Sequence, residues 1–213
     1  MLQKNKCKFI VMPCNTAYYW QEDIQKKLKI PLISMPKEVY LHTKRTCKKN
    51  SKIGILCTEA TIKTKVYSKY FDKNYNLVSP GKKLQKNSVN KAIKFVKMGK
   101  VKDAEKILRP AVKYLIKIKC KKIILGCTEL PIAIFAYKSF KKIKESKIFI
   151  DPNLLLAQVS MKKYKKWLEM MHCQINLLYT WEDCIIILQM RDFLKNSIMI
   201  GIRLKQDLKL LIK

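Results

Sequence analysis

A chain of 213 residues with 48% apolar content is long enough to bury a core. Its apolar residues fall in short runs, which excludes a disordered polymer. The formal charge is +31, from 46 basic and 15 acidic residues, yet only Arg45, Arg109, Arg191 and Arg203 are arginine. A surface that reads phosphates favours the bidentate guanidinium, so the scattered lysines read as solvated faces and nucleic acid is not expected as a partner.

Apolar runs such as Cys184 to Leu188 are far short of the ~20 residues that cross a bilayer. No signal-peptide core follows Met1. A soluble, cytoplasmic protein without membrane contact is the expectation. Eight cysteines stand at 7, 14, 47, 57, 120, 127, 173 and 184, none in a Cys-x-x-Cys pair, and of His42 and His172 only the second adjoins a cysteine. Zinc is not expected, and the cysteines read as free thiols.

In chain order, residues 7–13 read as a buried strand that Pro13 stops before Cys14. Asn15 or Thr16 can cap a helix running to Leu28, and Pro31 to Met35 reads as a second short strand. Lys44 to Lys52 is polar and basic, a place for a lobe boundary. Ile53 to Cys57 is a strand, Thr58 to Thr61 a turn and cap, Ile62 to Phe71 a helix, and Tyr75 to Val78 a strand. Helices follow over 85–98 and 101–118, separated by Gly99. Lys121 to Leu125 and Ile148 to Ile150 are strands, and Asp151 caps a helix that Pro152 opens and that reaches Trp167. Beyond Leu168, Trp181 to Met190 fits a strand or short helix and Leu204 to Ile212 a basic amphipathic helix, without a motif in either.

Alternating strands and helices imply a parallel sheet with helices on its faces. Ligands of such sheets bind at the carboxyl ends of strands. Cys14, Thr58 and Cys127 all fall at that edge.

The two segments 8–17 and 122–131 share one plan: an apolar run, a small or rigid residue, Cys, then a polar pair. A thiol just before a helix start is favoured as thiolate by amide N–H groups and the helix dipole. Asn15-Thr16 and Thr128-Glu129 add donors beside it, where a substrate carboxylate would settle. One thiolate and one thiol on opposite sides of a small acid could take a proton from carbon and deliver one from the far side. A lone cysteine at a strand end is more often a buried filler, and Cys57-Thr58-Glu59 carries a similar string. It is the matched pair that favours chemistry.

Met12-Pro13-Cys14-Asn15-Thr16-Ala17 and Leu125-Gly126-Cys127-Thr128-Glu129-Leu130-Pro131 resemble the aspartate/glutamate racemase family, closest to its aspartate racemase branch. Supporting matches are Gly54 to Thr58 with Thr61 and Tyr67, and Ile150-Asp151-Pro152 with Ala157. The resemblance covers about residues 7–165. It implies an α/β fold of two pseudo-symmetric parallel-sheet lobes with helices on both faces, and the site in the cleft between them. It also implies an isomerase that racemises an acidic amino acid, aspartate or glutamate, with no pyridoxal phosphate, other cofactor or metal.

On that resemblance Cys14 and Cys127 are the acid/base pair, each serving one enantiomer. Asn15, Thr16, Ala17, Thr128 and Glu129 would bind the substrate, and Lys97 would hold its acidic end; the plain alternative for Lys97 is one more surface lysine. The departures are Tyr18 where aspartate racemases commonly have histidine, Ala60 in place of a glycine, and a tail that matches nothing in the family. Family members place further strand–helix units ahead of the first cysteine motif, so the first lobe is expected to be incomplete. The expected organisation is a remnant of the first α/β lobe at 1–46, a second α/β lobe at 47–150, a helix returning to the first lobe at 151–167, and an unassigned basic extension at 168–213. Two other functions stay open, a catalytically inactive relative and a basic polyanion-binding protein, and so does a homodimer.

Overall fold

The computed structural model describes residues 7–71, 73–135 and 147–172, with side chains as far as 167. Four strands, β1 (Lys52–Cys57), β2 (Asn76–Val78), β3 (Lys122–Gly126) and β4 (Phe149–Ile150), form one parallel sheet in the order β2-β1-β3-β4. Their runs are apolar because both faces are covered, the usual state of a parallel sheet. Side chains alternate across the strands and so feed two cores. Leu56, Ile123 and Leu125 face one, with Ala104, Leu108, Val112 and Leu115 of helix α7 (Val101–Lys117). Ile53, Ile55, Cys57 and Ile124 face the other, with Tyr18, Met35, Val39, Tyr67 and Phe71.

The other α-helices among the described residues are α1 (Gln21–Lys27), α2 (Met35–Thr46), α3 (Glu59–Lys63), α4 (Ser68–Phe71), α5 (Lys82–Leu84), α6 (Lys91–Lys97), α8 (Glu129–Phe135) and α9 (Pro152–His172). A π-helical turn, Gln85–Asn90, joins α5 to α6. Gly99, at φ +75°, ends α6 in the left-handed conformation that glycine adopts without steric cost, and the Lys100 N–H closes the cap on the Phe95 carbonyl at 2.8 Å.

Three local features differ from the sequence reading. The helix expected over 62–71 is two pieces, because Lys65 takes a left-handed φ of 53° and breaks it. Helix α2 was not anticipated, although its signals are present. Ser34 accepts a hydrogen bond from the Lys37 N–H at 3.4 Å, Pro36 occupies the first turn, and Met35, Val39 and Thr43 lie buried at helical spacing.

Third, residues 7–13 and 31–35 do not form full strands. They meet in a single parallel bridge, Ile10 with Leu32, made by Ile10 N–H to the Pro31 carbonyl and Ile33 N–H to the Ile10 carbonyl, each 2.9 Å. The next rung would join the Met12 N–H to the Ile33 carbonyl. The Tyr18 hydroxyl sits in that gap, accepting from Met12 at 3.2 Å and donating to Ile33 at 3.0 Å. Tyr18 is fully buried, which pushes its hydroxyl up to about 12, so it stays a donor. Tyr18→Phe removes the inserted rung and orphans both backbone groups. It is expected to destabilise the fold by about 1–3 kcal/mol, read as a lower urea midpoint at unchanged m-value.

Asp151 opens α9 as expected, its Oδ1 accepting from the N–H groups of Asn153 at 2.9 Å and Leu154 at 3.3 Å. Helix α9 packs on α2. No described helix is long and apolar enough to cross a membrane. The elements expected over 181–190 and 204–212 lie outside the described residues.

Candidate active site

Strands β1 and β3 are in register with Cys57 opposite Gly126, so the residues that follow, Thr58 and Cys127, emerge side by side at the carboxyl edge. A side chain at Gly126 would be crowded: a Cβ there would sit 3.0 Å from the Cys57 Cβ. The π-helical turn braces this edge. The Gln85 amide donates to the Cys57 carbonyl and to Asn90, and Asn90 donates to Glu59, each at 2.8 Å.

Cys127 is half-buried just before α8. Its thiol donates to Glu129 Oε2 at 2.9 Å, and the Thr128 hydroxyl donates to the same oxygen, also at 2.9 Å. Lys97 Nζ, at the end of α6, lies 3.6 Å from Glu129 Oε1. The Lys97 side chain is 65% exposed and that of Glu129 17%, so the carboxylate is the fixed member of the pair and the ammonium the movable one. Burial alone would raise the Glu129 carboxyl. The hydrogen bonds from Cys127, Thr128 and its own N–H, together with the charge of Lys97, outweigh burial and hold it below its ordinary value.

The helix start was expected to favour the Cys127 thiolate. The structure shows the opposite. Burial first, then the hydrogen bond to Glu129 and its negative charge, push this thiol well above its ordinary value, against weaker help from a backbone N–H and Lys97. Cys127 rests as a proton-bearing thiol aimed at a carboxylate.

The first cysteine is in a different setting. Cys14 is exposed, after exposed Pro13. Asn15, only 3% exposed, makes no side-chain cap to the 3-10 turn Thr16–Trp20 that follows. Its Oδ1 accepts from the hydroxyl of fully buried Tyr67, and its Nδ2 is buried without a hydrogen-bond partner among the described residues. The Thr16 hydroxyl lies 2.7 Å from that of Thr61 and 3.3 Å from that of Thr58, and Thr58 and Thr61 are 3.0 Å apart. This triangle fastens the Cys14 segment to the carboxyl end of β1. Ala17 is half-buried beside it.

The structure therefore gathers the candidates into two groups: Cys127, Thr128, Glu129 and Lys97 in one, Asn15 and Thr16 in the other. Tyr67 bonds the second group through Asn15 and lies near enough to the first to feel Cys127. Burial holds its hydroxyl far above 10, and Cys57, Tyr18, Asp151 and Cys127 are all near enough to add to that. Tyr18 in turn feels Cys14. Asp151 is itself raised by burial, against the two N–H groups it caps. In the sequence Thr58 stood out only by its place at the strand edge, and Thr61 and Tyr67 only as accompanying matches; their structural work depends on a neighbour more than forty residues away. A separate cleft of about 440 Å³ lies between Tyr19, Trp20 and Lys69 and includes no cysteine. Among the described residues no three metal-ligating side chains cluster.

With this geometry in place, the relatives are informative. The sequence profile of the Asp/Glu/Hydantoin racemase family matches residues 1–159. A broad specificity amino-acid racemase of Bacillus subtilis (strain 168) is 34% identical over 73 residues, 34% of this chain and 31% of that protein. The glutamate racemase of Corynebacterium diphtheriae is 27% identical over 135 residues, 62% of this chain and 48% of that one. Among solved structures, the Picrophilus torridus aspartate racemase superposes with a TM-score of 0.56 at 28% identity, over 72% of this chain and 62% of its own. An aspartate racemase homologue from Pyrococcus horikoshii OT3 gives 0.59 at 24% identity, over 72% and 65%, and shows likeness of fold. The chain thus spans about half the length of the curated glutamate racemase it matches.

Proposed function

The chain belongs to the Asp/Glu/Hydantoin racemase family, and we propose on that premise that it racemises an acidic amino acid, aspartate or glutamate, without pyridoxal phosphate or metal. The observation that carries this reading is the Cys127 thiol held by Glu129 at the carboxyl end of β3, with Lys97 on the other carboxylate oxygen.

Cys14 and Cys127 are the acid/base pair in this proposal. For one enantiomer the Cys14 thiolate takes the α-proton, the electron pair passes into the substrate carboxylate, and the Cys127 thiol delivers its proton to the opposite face. The thiol and thiolate have then exchanged places, and the other enantiomer is processed in reverse. The resting state supplies one half of this division, since Cys127 carries its proton. The unpaired, buried Asn15 Nδ2 is a ready donor for the substrate α-carboxylate. Thr16, Ala17 and Thr128 complete the proposed binding set, and exposed Lys97 can meet the acidic side chain. The division into lobes at 46/47, with residues 151–167 returning to the first, belongs to this proposal and is supported by the packing of α9 on α2.

The test is deuterium wash-in at the α-carbon of L- and D-aspartate and of L- and D-glutamate in heavy water. Exchange together with inversion is expected for one of these pairs. A catalytically inactive relative is the competing reading, favoured by the solvent exposure of Cys14. Absence of exchange with all four compounds would establish that alternative.

A further inference from the structure

Asn15 carries a side-chain amide whose two ends are chemically opposite, an acceptor oxygen and a donor nitrogen. Which end faces an anion decides between attraction and repulsion. In the 3-10 turn that follows Cys14 the backbone does not settle the matter, because the Asn15 side chain makes no cap hydrogen bond. One contact does. The Tyr67 hydroxyl, 52 residues along the chain, donates to Asn15 Oδ1.

Reversing the amide would set its nitrogen against that hydroxyl and oblige the phenol to donate elsewhere. Among the described residues the Tyr67 hydroxyl has no other hydrogen-bond partner. The present orientation is thus the one that uses the phenolic proton. It leaves Nδ2 without a partner among the described residues, in a residue only 3% exposed. A buried amide nitrogen without an acceptor is costly unless something supplies one.

We propose that Tyr67 is a positioning residue that locks the Asn15 amide with its nitrogen toward the substrate, so that Nδ2 meets the substrate carboxylate. This rests on the racemase reading for the identity of the anion, but the lock itself is a property of the fold. The lock is well built. Tyr67 is 1% exposed and packs against Phe71 at 6.3 Å between ring centroids, and Thr16, next to Asn15, is held by Thr58 and Thr61. The amide can neither slide away from the phenol nor satisfy itself locally.

Tyr67→Phe tests this, because it keeps the ring and removes only the donor. The first readout needs no turnover: relaxation of the Asn15 side-chain amide by ¹⁵N NMR in the full chain. The wild type is expected to show a rigid amide with an order parameter near about 0.85, and Tyr67→Phe one below about 0.6. An unchanged order parameter overturns the lock.

The second readout is a double-mutant cycle on the KM for the substrate that exchanges. Tyr67→Phe should raise KM about tenfold, as loss of an aligned hydrogen bond to an anion predicts, with kcat much less affected. In an Asn15→Ala background, where no amide is left to orient, the same change should add nothing. An equal effect in both backgrounds would mean that Tyr67 serves packing alone, and overturns the proposal. If the wild type turns over none of the substrates, the racemase reading fails while the amide measurement still decides the role of Tyr67.

Discussion

Replacing Cys127 by alanine is expected to lower racemisation by at least the 10²–10⁴-fold that a positioned acid or base contributes, and Cys14→Ala to do the same. The two losses should differ in kind. In the proposed mechanism each thiol faces one side of the α-carbon, so each single variant should still wash deuterium into the enantiomer that the remaining cysteine deprotonates, without inverting it. Cys127→Ala and Cys14→Ala should therefore retain exchange with opposite enantiomers, and the double variant with neither. The measurement is ¹H NMR of the α-position for L- and D-substrate separately. If both single variants lose exchange with both enantiomers, or lose it with the same one, the two-thiol assignment is wrong. Neither variant should unfold the chain, since Cys14 is exposed and Cys127 only half-buried.

Glu129→Gln is expected to move the titration of Cys127 and, with it, the pH dependence of the reaction. The Cys127 thiol is raised by burial, by its hydrogen bond to Glu129 and by the Glu129 charge. Gln removes the charge and weakens the acceptor but leaves burial, the largest cause, in place. The thiol should become more acidic than in the wild type yet stay above an ordinary cysteine. Alkylation of Cys127 by iodoacetamide should accordingly begin at lower pH, and the alkaline limb of kcat/KM should shift the same way. An alkylation profile that does not move would show that Glu129 does not hold the thiol.

The same variant has a signature at acid pH. The Glu129 carboxyl lies below its ordinary value in the folded chain. It therefore binds its proton less readily folded than unfolded, and contributes stability above the ordinary carboxylate range that is lost as pH falls through its folded value. Glu129→Gln should flatten the loss of stability on acidification, followed as the urea midpoint below about pH 5. The protonation of Asp151 acts with the opposite sign, because burial raises that carboxyl. With Glu129 removed, the remaining slope should carry more of the Asp151 contribution.

Much of the fold was legible because its causes are local. The apolar runs of β1 and β3, the proline-opened, aspartate-capped start of α9 and the glycine stop at Gly99 each depend on a few adjacent residues. The break at Lys65 was not legible, since lysine carries no preference for a left-handed φ. The pairing of 7–13 with 31–35 was read as strands because its apolar pattern is right. Only the folded chain shows a tyrosine side chain standing in for the second rung.

By itself the sequence determined the α/β alternation, the two Cys-centred strings at strand ends and the family to which they point. These follow from residue type and short-range order, the level at which backbone preference and burial pattern act. The tertiary structure alone decided what the polar atoms do. It tied the Cys127 thiol to Glu129 as a proton donor where the helix start suggested thiolate, and set Lys97 on the other oxygen. It also turned Asn15 from a helix cap into the partner of Tyr67. The physical reason is that a hydrogen bond is chosen by whichever partner is within about 3 Å. For Asn15 and Tyr67, 52 positions apart, that proximity exists only once β1 and the Cys14 segment have packed together.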